Sequence, residues 1–103
     1  MLSLRNETPI ANQLLLTASV VALDALRYTP AGLPALNVKL EHESSLMEAG
    51  QARTVKAAIK AVAFGTVAER LSKQAIGSVW SFSGFLATPL NGKHVVYHLQ
   101  DFS

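Results

Sequence analysis

Between Leu14 and Val21 the side chains fall into two interleaved sets. Leu14, Leu16, Ala18 and Val20 are apolar throughout, whereas Leu15, Thr17, Ser19 and Val21 are mixed. A period of two presents these sets on opposite faces of a strand, predicted here over Asn12–Leu23 with the first set inward. Leu15, Thr17 and Val21 on the outer side predict a covered surface, with a second copy of the chain as the cover. The next alternating run is Pro34–His42, with Leu36, Val38, Leu40 and His42 on one side and Asn37, Lys39 and Glu41 on the other. Pro34 has no N–H to give a ladder, which suits the first residue of a strand. Before it, Pro30 fixes φ for a turn and Gly32 admits positive φ. The polar run Glu43–Gly50 predicts a loop. In Ala52–Phe64, Val55, Ala57, Ile59, Ala61 and Ala63 alternate with Thr54, Lys56, Ala58, Lys60 and Val62. The alanines, and Val55, Ile59 and Val62 at helical spacing, fit a helix as well, and only the order of the other strands favours a strand. Thr66 with Glu69 three residues on predicts a capping box opening a short helix that Gly77 closes. Strand four is Ser78–Ala87, where Gly84 predicts a bend or bulge. An Asn91-Gly92 turn signal then leads into strand five, His94–Phe102.

Five strands with a short helix between the third and fourth is the order of an OB-fold, an all-β Greek-key barrel. The length of 103 residues allows one such domain over 12–103, preceded by a terminal segment 1–11 expected to lie outside the packed body. Half of the residues are apolar and 16% are charged, the balance of a globular chain. No apolar run reaches the ~18 residues of a membrane span. The absence of cysteine removes disulfides and thiolate zinc sites and accords with the cytoplasm.

Charge adds direction. Up to Gly50 there are three cationic and five acidic residues, net −2, and from Gln51 onward six and two, net +4. Such a basic half favours a polyanion, although scattered solvated lysines give the same sum. OB barrels bind oligonucleotides across strands two and three and between the first and last hairpin loops. Arg27, Tyr28, Lys56, Lys60, Lys93 and His94 fall in those regions. The cations would neutralise phosphates and Tyr28 would stack on a base. Four phosphate contacts, from Arg27, Lys56, Lys60 and Lys93, give a salt slope of roughly −3. Trp80, Phe82 and Phe85 are expected in the core or an interface, and His42 as a hydrogen-bonded structural residue. His94 and His98 lie about 13 Å apart along a strand, too far to share a metal ion. With no nucleophile elbow and no Walker-type phosphate cradle, neither an enzyme nor a cofactor is expected.

Six pieces in register, Asn12–Leu16, Arg27–Pro34, Leu40–Ser44, Glu48–Gly50 with Arg53, Gly84–Ala87 and Val95–His98, resemble the primosomal replication protein N (PriB) family over residues 12–100. The resemblance implies a non-catalytic homodimer of replication restart, its first strands meeting across a two-fold axis. It implies single-stranded DNA, the PriA helicase and DnaT as partners, with PriA stimulated at stalled forks. Arg27 matches a basic position of the family. Lys56 stands where members can carry an aromatic on strand three, Glu43 where a basic residue can follow the histidine of strand two, and Lys93 alone where the last loop can hold several lysines. These departures keep a second reading in play: a protein-interaction adaptor of the primosome with weak or vestigial DNA binding.

Overall fold

In the computed structural model, which describes residues 10–103, the chain forms β1 (Leu14–Leu23), β2 (Arg27–Tyr28), β3 (Pro34–Glu48), β4 (Gln51–Phe64), α1 (Thr66–Ser72), β5 (Val79–Ala87) and β6 (Val96–Phe102). The expected terminal segment 1–11 lies mostly outside the described residues. The sheet order is β1-β5-β6-β4-β3-β2, and β1 also pairs with β3, so the sheet returns to its own first strand. β4 and β6 meet in parallel over Ala61–Ala63 and Tyr97–Leu99, while the other pairs are antiparallel. Apart from the two-residue β2, this is the expected five-stranded OB arrangement with its short helix between the third and fourth long strands.

β1 serves two neighbours. Leu14–Ser19 pair with β5, and the stretch from Ser19 to Leu23 pairs with β3. The changeover is a bulge between Val20 and Ala22, which bends the strand from one partner to the other. The inward set behaves as its spacing requires, with Ala18 and Val20 buried. Val21 sits at the bulge and is half-buried, whereas Leu15 is 68% exposed.

The predicted loop Glu43–Gly50 is instead mostly strand. β3 and β4 pair without a break from Ala35↔Phe64 to Glu48↔Gln51. The turn is two residues long, Ala49 (φ 53°) and Gly50 (φ 79°), both left-handed as a tight hairpin requires. Beyond Glu41 this hairpin leaves β1 and projects as an arm. With no core against either face it needs no apolar alternation, which is why its sequence looked like a loop. Glu43 opposite Lys56, and an ion pair between Arg53 and Glu48, supply cross-strand attraction in place of burial. The turn before β3 is also more ordered than expected, since Arg27 and Tyr28 form a rung with Ala35 and Pro34.

The capping box does not form. Gly65 is the N-cap at φ 74°, no side chain caps the helix, and Thr66 is its first residue. Left-handed Gly65 turns the chain directly from β4 into α1, and its N–H donates to the Pro34 carbonyl at 2.9 Å. Helix α1 buries Ala68 and Leu71 against a core that includes Val20, Leu36, Leu40, Phe82 and Tyr97. Tyr97 donates its hydroxyl to the Leu14 carbonyl at 2.7 Å, and burial pushes its phenol pKa up, so it stays a donor.

Gly84 is the mid-strand feature the sequence marked. A Cβ there would lie 1.8 Å from the His98 carbonyl oxygen, so no side chain fits, and the β5–β6 register shifts beside it. β6 begins at Val96, which leaves His94 in the preceding loop rather than in the strand. At its end, Phe102 lies edge-on to Trp80 at 5.1 Å and beneath the Arg70 guanidinium at 4.5 Å. Arg70 also donates to Asp101 at 3.1 Å and to the Phe102 carbonyl at 3.2 Å.

Candidate nucleic-acid interface

Lys39 and Lys60 face one another across β3 and β4 on the outer side of the sheet. Like charges directly opposite in an antiparallel pair are destabilising. Among the described residues no carboxylate pairs with either one. Toward the barrel the same face continues through Asn37 opposite Val62 and Ala35 opposite Phe64. It then crosses to β6 at His98, beside Val62, and to β5 at Phe85, beside His98.

Those last residues form a row of rings. His98 stacks on Phe85 with centroids 4.8 Å apart and planes 15° from parallel, and on Phe64 at 6.1 Å and 29°. Phe64 is 39% exposed. Arg27 enters from β2 and reaches Asn37 with a long contact, Nη2 to Oδ1 at 3.4 Å. Together Arg27, Lys39, Lys60, Phe64 and His98 line a cleft of about 540 Å³, to which Pro89 of the β5–β6 loop also contributes. Among the described residues, Asp24 is the one carboxylate of its lining. Cations beside flat rings are what single-strand binding needs, charge for the backbone and π-faces for the bases.

The structure brings together Arg27 and Lys60 of the six nucleic-acid candidates. Tyr28 is exposed but follows Arg27 on a strand, so it points to the other face. Lys56 shares the outer face with Lys60, four residues away along β4 at the base of the arm and opposite Glu43. Lys93 and His94 sit exposed in the β5–β6 loop and do not line the cleft. Lys39, Phe64, Phe85 and His98 were missed as candidates. Lys39 and Phe64 were within reach of the sequence, because Lys39 shares parity with outward Asn37, and Phe64 with Lys56 and Lys60. Phe85 and His98 were not, because their role depends on β5 and β6 meeting in one register. Phe82 is buried as expected, whereas Phe85 belongs to the outer ring row and Trp80 is half-buried over Phe102.

His42 has the expected structural role. Its Nδ1 lies 2.7 Å from the Thr17 carbonyl oxygen and its Nε2 2.7 Å from Ser44 Oγ. A carbonyl only accepts, so Nδ1 carries the proton that it donates. The imidazole thereby holds β1 to β3 where their ladder ends. On the other face of β1, Leu15 and Thr17 are exposed, and Val79 of β5, opposite Ser19, is 63% exposed.

Comparison with known proteins places these features in context. A family model described as another single-strand binding protein family matches residues 12–101. A replication restart protein PriB from Bordetella pertussis is 47% identical over 76 residues, covering 74% of this chain and 71% of the relative. That of Nitrosomonas europaea is 33% identical over 91 residues, covering 87% and 84%. Among solved structures, PriB from Ralstonia solanacearum superposes with a TM-score of 0.83 at 36% identity, covering 91% of this chain and 97% of that one. The wild-type single-stranded DNA binding protein of Thermus aquaticus shares the fold, with a TM-score of 0.73 at 24% identity over 90% of this chain and 49% of its own.

Proposed function

Because this chain belongs to the PriB replication restart family of single-strand-binding proteins, we propose that it binds single-stranded DNA across the outer face of β3, β4 and β6 during replication restart. The family is non-enzymatic, and nothing in this reading requires a reaction at the cleft. The observation that carries it is the Lys39–Lys60 rung, which forms no ion pair among the described residues, beside the Phe64–His98–Phe85 ring row. A surface kept for stability alone gains nothing from two opposed lysines without an acid. Phosphates would replace water between Arg27, Lys39 and Lys60, with Lys56 extending the track along the arm, and bases would stack near Phe64. Contacts of this kind carry no sequence preference.

In the same proposal the chain works as a homodimer and stimulates the PriA helicase at a stalled fork, with DnaT as a later partner. Exposed Leu15, Thr17 and Val79, and a β1 edge without a β3 partner before Ser19, support association through β1. The adaptor reading draws on a specific observation as well, for Lys56 faces Glu43 and, among the described residues, three cations line the cleft. Titrating labelled oligothymidine at low and moderate salt, with and without the helicase, separates the two. Salt-dependent binding that tracks stimulation supports the DNA role. Stimulation by a protein that binds no strand at low salt would replace it with the adaptor.

A further inference from the structure

The geometry points to the cleft being a single-nucleotide pocket, one that accepts a free nucleoside bisphosphate as well as one unit of a strand. This inference deepens the single-strand reading above and goes beyond a flat basic track. Arg27, Lys39 and Lys60 come from three different strands and all line one hollow. The hollow, about 540 Å³, falls in the range of roughly 300–1,000 Å³ found for small-molecule sites. Phe64, His98 and Pro89 all line it, so a base entering the hollow finds ring and apolar surface there. The opposed lysines have Cβ atoms about 5 Å apart, which suits two separate anionic groups carried by one ligand. A nucleoside with phosphates on both its 3′ and 5′ oxygens supplies the ring and the two anions together. Pyrophosphate has the charge without the ring, and thymidine has the ring without the charge.

Asp24 gives the proposal a signed control. It is the one carboxylate of the lining among the described residues and repels a bound phosphate, so Asp24→Asn should tighten bisphosphate binding by about two- to fivefold at low salt. The test is an NMR titration of the full chain with thymidine 3′,5′-bisphosphate, pyrophosphate and thymidine separately. The bisphosphate should saturate shifts of the Phe64 and His98 rings at about one-tenth of the pyrophosphate concentration, the factor that stacking supplies. Phe64→Ala should abolish that difference, and Lys60→Gln, on the solvent side of β4, should weaken both anions. Equal half-saturation by bisphosphate and pyrophosphate, or shifts away from the cleft, would overturn the pocket. If oligothymidine still binds through Lys39 and Lys60 in that case, the single-strand reading stands without it. A bisphosphate that binds while oligothymidine does not would keep the pocket and remove the strand.

Discussion

Replacing Lys60 with glutamine should stabilise the protein and weaken its hold on single-stranded DNA. The two effects share one cause. Lys60 lies directly opposite Lys39 on the solvent face, with no acidic partner among the described residues. Glutamine keeps the length of the side chain and removes the repulsion, a gain of roughly 0.2–1 kcal/mol for a cross-strand pair. In a domain of this size that is roughly 1–8 °C in Tm. On the binding side, the proposed track of Arg27, Lys39, Lys56 and Lys60 would make about four phosphate contacts per chain, with a slope of roughly −2.8 in log K against log salt. Removing one contact lowers the slope to roughly −2.1. If the lost term vanishes near ~1 M salt, the variant binds about eightfold more weakly at ~50 mM and about threefold more weakly at ~200 mM. Fluorescence anisotropy with an oligothymidine of about 12 nucleotides, within the span of a single OB fold, reads the slope. Thermal unfolding followed by circular dichroism reads the stability. Lys93→Gln, in the exposed loop, should leave Tm unchanged. A Lys60→Gln protein that melts lower than wild type, or that keeps the wild-type slope, would refute the reasoning.

Gly84→Ala should cost several kcal/mol, on the order of 3 or more, because its Cβ would displace the His98 carbonyl and break the β5–β6 ladder; urea denaturation measures this. Tyr97→Phe should cost about 0.5–1.5 kcal/mol in the same assay, since the Leu14 carbonyl loses its donor. The raised phenol pKa means that Tyr97 favours the folded state below about pH 10 and loses that contribution as pH rises further, a loss the phenylalanine variant should not show. The Arg70 hydrogen bond, and then the Phe102 N–H, hold the Asp101 carboxyl below its ordinary range, so its contribution is present above about pH 4 and disappears as pH falls through the lowered value. Asp101→Asn should therefore flatten the acid limb of a stability-against-pH curve.

The barrel was legible wherever one face of a strand met the core. Leu36, Val38 and Leu40 alternate with polar neighbours and are buried as that spacing requires. Legibility ended where burial ended. The arm beyond Glu41 is strand without a buried face, so its hydrogen bonds to β4 left no apolar signature in Glu43–Glu48. The helix start misled in another way, because Thr66 and Glu69 have the right spacing for a capping box while left-handed Gly65 had already taken the N-cap position. At the site, cations could be assigned to regions but not to one hollow. Arg27 meets Lys60 only because β2 and β4 flank β3, and the ring row exists only because Val62, His98 and Phe85 share a rung. Sequence parity finds Lys39 and Phe64, whereas the parallel β4–β6 contact that completes the site is a long-range pairing with no local marker.

The most direct test of where the strand lies is photocrosslinking with an oligonucleotide carrying 5-iododeoxyuridine, followed by mass spectrometry of the attached peptide. Attachment at Phe64 or His98, lost on competition with unlabelled strand, is the expected result. Attachment confined to Tyr28, to Trp80 or to the β1 face would contradict a strand running over the Lys39–Lys60 rung.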